Sequence, residues 1–315
     1  MEGVSSRSFP WLVLLPLVLL AAAAAGVVSL PAVQQQALLR AFHSLLLWLP
    51  VLYSVVALSY AGRYWRWRLL LSRLGIGRTN WPDLLGWFRG FALTATPAKV
   101  GELSRVQLLH EQLGYPRLPL VHVFVAERCA DVAAVAVLLL VLTPAQVLSR
   151  LPSPSASLLL GLALVALTVV LLVSRPAPRR WLTKRWQQWR HHLPSGTLAR
   201  ATVPAALISV LVWANEALVL WLLVWLLAPT PISIPAAIAI YLLSGTAGMA
   251  SSLPGGIGVN EGATVLLLAQ QGVPAAVALP IAVLRRVITL WSMVALAAAV
   301  GVLPLSLQGQ LQRDS

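Results

Sequence analysis

Apolar residues run through this chain in windows of about 20, the length an α-helix needs to cross the hydrocarbon core of a bilayer. The windows fall at Phe9–Leu30, Ala41–Ala61, Pro119–Leu142, Ala156–Val173, Thr202–Ala228, Ile232–Leu253 and Ala275–Val300, and no polar stretch between them is long enough to fold separately. The chain therefore reads as a single all-α polytopic membrane domain over 1–315. Arg7 ahead of an apolar run gives Met1–Leu30 some likeness to a signal peptide, but no small-residue cleavage site follows Ala25, and a first span is expected. One apolar piece departs from the pattern. Leu84–Thr96 is short for a span and runs straight into Pro97, Lys99, Gly101, Glu102 and Arg105. A re-entrant hairpin is expected there, because irregular backbone survives at membrane depth only where protein or a wet cavity surrounds it.

The same order of events recurs later in the chain. Gly114, Pro116 and Arg128 are each one constant interval from Gly272, Pro274 and Arg286, and Glu102 and Glu261 keep that interval within one residue. Each set reads as a Pro/Gly break, a glutamate, a short amphipathic piece, Gly-x-Pro, and a long span with arginine near its middle. Two repeat units follow, 84–142 and 232–300, each a hairpin plus a span. Basic residues orient them. Arg63, Arg66, Arg68, Arg73 and Arg78 gather in 62–80, and Arg175, Arg179, Arg180, Lys184, Arg185, Arg190 and Arg200 in 175–200, whereas the opposite connections hold only Arg40 and Arg150. The excess of Lys and Arg on cytoplasmic loops places both basic segments and the N-terminus in the cytoplasm. The second unit then enters from the other side. The expected fold has about six transmembrane helices plus two re-entrant hairpins arranged as an inverted repeat, with a site where the halves meet. Eight full crossings is the competing topology.

Composition removes other classes. With 59% hydrophobic residues, 10% charged residues and a mean hydropathy of +0.82, the chain needs lipid as its solvent. A net charge of +14 would suggest nucleic acid in a soluble protein, but its concentration in two short segments fits membrane topology, and no nucleic-acid partner is expected. Cys129 stands alone, and His43, His110, His122, His191 and His192 lack ligand spacing, so no disulfide, metal or cofactor is expected. The 13 tryptophans suit interfacial belts. Walker A, GxSxG, HExxH and Asp-rich motifs are missing, so no enzymatic activity is expected.

The acidic residues carry more information. Glu127, Asp131 and Glu216 fall inside expected spans, and Glu102 and Glu261 at the expected hairpin tips. An ionised side chain at the bilayer centre costs about 2.5–3.5 kcal/mol on insertion scales, so each needs a partner or a role. Glu127 and Asp131 share a helix face, with Arg128 three residues from Asp131, and Arg285 and Arg286 take the corresponding depth in the second half. Two readings follow. Either Glu127 or Asp131 ties to an arginine of the other half as a structural salt bridge, or the arginines bind an anionic headgroup while the carboxylates orient them or carry protons. Glu102 and Arg105, three apart, suit an i,i+3 pair or a cavity wall. Glu216 either reaches a polar residue on another helix or carries a proton. The run Leu253–Glu261 stops one helix at Pro254, Gly255 and Gly256 and starts another after Asn260, presenting N–H groups and a positive dipole end suited to phosphate. Glycines there also serve turns and close helix packing. The candidate binding residues are Arg105, Arg128, Arg285, Arg286, Gly255, Gly256, Gly258 and Asn260; the candidate gating or proton-coupling residues are Glu102, Glu127, Asp131, Glu216 and Glu261.

Four of these segments carry a family resemblance. TPAKVGELSRVQLL (Thr96–Leu109), VAERCAD (Val125–Asp131), SLPGGIGVNEG (Ser252–Gly262) and LRR (Leu284–Arg286) resemble the flippase-like membrane proteins related to the transmembrane portion of lysylphosphatidylglycerol synthase, over roughly Pro10 to Val302. The resemblance implies a lipid-translocating domain whose substrates are anionic or aminoacylated phospholipids or polyprenyl-phosphate carriers. With no soluble aminoacyl-transferase domain among these residues, it implies movement of a lipid made elsewhere. The expectation is a flippase of the bacterial cytoplasmic membrane acting on a membrane phospholipid or isoprenoid-phosphate lipid, with a homodimer or a lipid-synthesising enzyme as protein partners. The alternatives are a proton-coupled secondary transporter of a small soluble anion and a non-transporting partner of a lipid-modifying enzyme.

Overall fold

The computed structural model describes residues 11–76, 81–96, 101–142 and 197–302. The expected span Ala156–Val173, most of the basic segment 175–200 with His191 and His192, and Pro97–Val100 at the first break lie outside the described residues. Among the described residues every regular element is helical and none is a strand. In chain order the helices are α1 (Trp11–Val28), α2 (Ala32–Leu45), α3 (Leu49–Arg73), α4 (Trp81–Arg89), α5 (Ser104–Leu113), α6 (Arg117–Val137), α7 (Thr197–Leu227), α8 (Ile234–Ala250), α9 (Val259–Gln270), α10 (Ala275–Arg286) and α11 (Ser292–Val302). A 3-10 turn, Leu46–Trp48, joins α2 to α3, and a π turn, Val287–Trp291, joins α10 to α11. The resulting runs Ala32–Arg73 and Ala275–Gly301, together with Ala201–Leu227, are long and apolar enough to cross a membrane, while Leu14–Val28 and Ile234–Ala250 are shorter apolar helices.

The first basic segment is not a loop. Residues 62–73 of the expected 62–80 connection are the second half of α3, and Arg63 and Arg66 are 7% and 1% exposed. Pro50 sits in the first turn of α3, where its missing N–H leaves no bond unmade, and nothing after it stops the helix before Gly75. Gly62 serves packing: a Cβ there would lie 2.8 Å from Val212 Cγ2 of α7. Burial of the two arginines is made tolerable by carboxylates that α6 and α7 place opposite them.

Three helices, α3, α6 and α7, pack on one another as the centre of the molecule, and α7 also packs on α8 and α10. Around them stand two broken-helix elements. In the first, α4 runs into a 3-10 turn, Gly90–Leu93, and α5 returns against it; in the second, α8 gives way to a 3-10 turn, Pro254–Gly256, and α9 returns against α8. Glycine is required where each second arm begins. A Cβ on Gly101 would lie 2.6 Å from the Leu93 carbonyl oxygen, and one on Gly256, at φ +65°, 2.8 Å from Gly248 Cα. Each second arm then ends at a left-handed glycine, Gly114 or Gly272, followed by Pro116 or Pro274 just ahead of α6 or α10. The helices α4, α5 and α9 contain 9, 10 and 12 residues, so at about 1.5 Å per residue each falls short of a hydrocarbon core of about 30 Å.

The long helices end reciprocally. The π turn Leu138–Leu142 that extends α6 packs on α8, while α11 packs on α4 and on Gly90–Leu93. Each broken element is thus held by the span that follows the other, and both breaks are drawn toward the centre of the molecule.

Candidate polar cavity between the broken helices

A cavity of about 110 Å³ lies where the two broken elements face each other across α3, α7 and α10. Glu102 and Thr94 line it from the first element, Tyr241 and Asn260 from the second, Arg63 and Glu216 from α3 and α7, and Arg285 and Arg286 from the end of α10. Gly255 and Gly256 complete the wall.

Each charged group is placed by its helix register. Arg63 reaches across to Glu216 at 2.6 Å, and the second oxygen of Glu216 accepts the Tyr241 hydroxyl at 2.7 Å. Glu216, which has no partner nearby in sequence, thus finds a polar residue on another helix. The Arg63 guanidinium also lies over the Trp213 ring, 5.4 Å from its centroid.

Behind this wall the same helices build a second buried network. Arg66 donates to Asp131, to Ser209 Oγ at 2.6 Å and to Glu127 at 3.4 Å; Arg105 donates to the other oxygen of Glu127 and lies 4.3 Å from the Trp67 ring centroid. Trp213 Nε1 donates to Asp131 at 3.1 Å. Two expectations need correction here. Glu127 and Asp131 do not pair with Arg285 or Arg286 of the second half: their arginines come from α3, α5 and α6, because α3 continues as a helix and lays Arg66 between them. Nor does Glu102 close an i,i+3 pair with Arg105, which turns inward to Glu127 instead. Glu102 accepts from Thr94 Oγ1 at 2.8 Å and faces Arg128 at 3.6 Å, and Arg128 also reaches Asp131 at 3.1 Å.

At the second break, Arg286 Nε lies 3.0 Å from Glu261, and its Nη2 donates to the Gly255 carbonyl. Glu261 in turn accepts the Gly258 N–H at 2.7 Å. That N–H, expected to be open to a phosphate, is therefore taken by a side chain of its own helix. Gly255, Gly256 and Gly258 have φ of +61°, +65° and +81°, so the run owes its glycines first to backbone conformation. Gly258 does not line the cavity.

Arg285 differs from Arg63, Arg66, Arg105, Arg128 and Arg286, each of which has a carboxylate partner. It is 2% exposed, donates to Asn260 Oδ1 and to Thr264 Oγ1 at 3.0 Å, and lies 5.1 Å from the Tyr241 ring centroid. All of these partners are neutral, and among the described residues no carboxylate stands within ion-pair distance of it. Among the described residues, the cavity wall thus holds one arginine, Arg285, with no carboxylate in ion-pair contact.

The sequence reading missed Arg63, Arg66, Trp213 and Tyr241. A signal for the first two was present: Arg63 and Arg66 are three apart in a stretch without proline from Val51 to Asn80, so on a continued helix they share a face. Nothing in the sequence singled out Tyr241 or Trp213 from the other aromatic residues. Among the described residues no cluster of His, Cys, Asp and Glu is arranged to hold a metal.

Apolar helices long enough to span, with paired charges and a polar cavity at their centre, define a multi-pass helical membrane protein. Residues 12–297 match the family described as the lysylphosphatidylglycerol synthase TM region, and the chain belongs to that family. A UPF0104 membrane protein of Methanothermobacter thermautotrophicus is 38% identical over 92 residues, a match spanning 29% of this chain and 27% of that protein.

Proposed function

We propose that this chain is a lipid transporter that takes the phosphate-bearing headgroup of an anionic lipid into the cavity between the two broken helices and passes it across the bacterial cytoplasmic membrane. The acyl chains stay in the bilayer. Arg285 carries this reading. An uncompensated buried cation costs several kcal/mol, and an anionic ligand beside it supplies the missing charge. Family membership, through its tie to a membrane lipid synthase, favours a lipid over a soluble ion. Arg285 and Arg286 are assigned to the headgroup; Arg66, Arg105, Glu127 and Asp131 hold the helices together. No enzymatic role is assigned to the chain.

The two broken elements are proposed to be re-entrant halves of an inverted repeat, dipping in from opposite faces, with the N-terminus in the cytoplasm. Two observations support this. Glu102–Arg128 and Glu261–Arg286 are ion pairs between equivalent positions of the two units, and each long helix ends on the other unit's first arm. On this reading the two pairs are gates, one for each side, that open when the headgroup takes the arginine from its glutamate.

The test is lipid movement in vesicles reconstituted with the purified chain and a phospholipid labelled on its anionic headgroup. Wild type moves the label between leaflets. Arg285→Gln, which removes a charge-assisted hydrogen bond, slows it by about tenfold or more. Equal rates for wild type, Arg285→Gln and protein-free vesicles would contradict the proposal. Uptake of soluble phosphate without lipid movement would favour the soluble-anion transporter.

A further inference from the structure

The side of the cavity next to α1 is built unlike the rest. α1 packs on α11 and on the Gly90–Leu93 turn, and its inward stripe, Pro16, Leu19, Leu20 and Ala23, recurs at three- and four-residue intervals. Leu19, Leu20 and Ala23 share one apolar cluster with Ala95 of the first break, Ile257 of the second, Leu290 and Trp291 of the π turn and Val294 of α11. Thr94 and Thr96 on either side of Ala95, Gly256 next to Ile257, and Leu290 itself line the cavity. α1 therefore lies across the seam between the two breaks. Trp291 carries the contact inward: its ring centroid is 5.8 Å from the Arg286 guanidinium, and a Cβ on Gly255 would lie 3.1 Å from its Cη2.

The elements beside α1 are pinned by polar side chains. Arg66 joins α3 to α6 and α7, Tyr241 ties α8 to Glu216, Arg285 and Arg286 tie α10 to α9, and Arg89 of α4 donates to the Val300 carbonyl of α11 at 3.1 Å. α1 has no such tie along its length. Residues 12–28 are all apolar. Among the described residues, its hydrogen bonding to another element comes at its C-terminal end, where Gln35 Nε2 of α2 donates to the carbonyls of Val28 at 2.7 Å and of Leu30, just past the helix, at 2.8 Å. In a bilayer, apolar packing gives one helix little preference for another over lipid tails. α1 is thus held at one corner and seated elsewhere by contacts that acyl chains replace at little cost. We propose that α1 is a lateral gate: it swings about the corner at Ser29–Pro31, away from α11 and the two breaks, and opens the cavity sideways to the bilayer. This inference rests on the reading of the chain as a lipid transporter. A headgroup in the cavity whose acyl chains stay in the bilayer needs a gap in the wall, and the seated α1 fills the seam with Leu19, Leu20 and Ala23. Lipid therefore binds the open form better and draws the equilibrium toward it. A soluble anion has no tail to pass and leaves α1 seated.

Cys129 is the chain's one cysteine, so Cys129→Ser gives a background for placed labels. Nitroxides at Val18→Cys of α1 and Leu211→Cys of α7, positions 63% and 70% exposed, report where α1 sits in the full-length chain. In phosphatidylcholine nanodiscs one main distance is expected; phosphatidylglycerol is expected to add a second that differs by several ångströms, and soluble phosphate to add none. Leu19→Ala, which thins the seat of α1, is expected to populate the second distance without anionic lipid. In vesicles, Leu19→Cys and Val294→Cys joined by a short bis-maleimide are expected to move lipid no faster than protein-free vesicles do, while each single-cysteine variant treated alike keeps the wild-type rate. A single distance unchanged by phosphatidylglycerol, or wild-type lipid movement in the cross-linked pair, overturns the gate and leaves the transporter reading standing. If the double-cysteine chain fails to fold, the distances, measured from exposed positions, decide alone. If wild type itself moves no lipid, the transporter reading fails, and the response of the distances to phosphatidylglycerol still decides whether α1 opens.

Discussion

Glu127 accepts from two arginines on different helices, Arg66 of α3 and Arg105 of α5, and is 1% exposed. Removing its charge leaves Arg105 without its carboxylate and weakens the hold on Arg66. Breaking one side of a buried pair costs about 3–5 kcal/mol, so Glu127→Gln is expected to unfold at clearly lower temperature in detergent. Glu111→Gln, at an exposed position of the same α5, is expected to melt as wild type does. Equal melting of the two variants would show that the network does not hold the helices. At this scale the sequence supplied half of each pair. The depth of Glu127, Asp131 and Glu216 in apolar runs marked them as needing partners. The partners themselves were hidden by distance: Arg66 lies 61 residues from Glu127, and Arg63 lies 153 from Glu216. Counting arginines as loop residues removed the correct candidates from consideration. The expected tie to Arg285 and Arg286 was the consequence.

At the scale of elements, each break depends on close backbone approach more than on flexibility. Gly256 combines a φ of +65° with a Cβ position 2.8 Å from Gly248 Cα. Gly256→Ala meets both the left-handed penalty and a backbone clash, together about 2 kcal/mol or more, and is expected to melt lower and to lose headgroup binding as the cavity wall shifts. Gly262→Ala is the control: its Cβ would meet nothing within 4 Å, and alanine is the better helix former in the first turn of α9, by up to about 1 kcal/mol. Loss of binding in both variants, or in neither, would refute this account of the break. The Gly-x-Pro pairs Gly114–Pro116 and Gly272–Pro274 were readable because a left-handed glycine and a following proline have only a few uses. The continuation of α3 through Arg73 was not, since charge density outweighed the lack of a helix breaker. The phosphate-facing N–H groups expected at Gly258 illustrate another limit: composition shows that a helix starts there, but not that Glu261 caps it.

Over the whole molecule, the hydropathic windows were sufficient to establish an all-helical membrane protein, and the repeated order of break, glutamate and Gly-x-Pro located the regions that line the cavity. What they did not show was how the two broken elements are held, with α11 on the first and the end of α6 on the second. Arg285, Asn260 and Glu102 thereby come to line one cavity. Headgroup capture at this meeting point is the central claim, and cross-linking tests it most directly. An anionic phospholipid with a photoreactive group beside its phosphate, activated in vesicles containing the purified chain, is predicted to label cavity residues such as Leu242 and Thr289, and Arg285→Gln is predicted to abolish that labelling. Labelling confined to outward side chains such as Leu47 and Leu207, and unchanged in Arg285→Gln, would contradict the account.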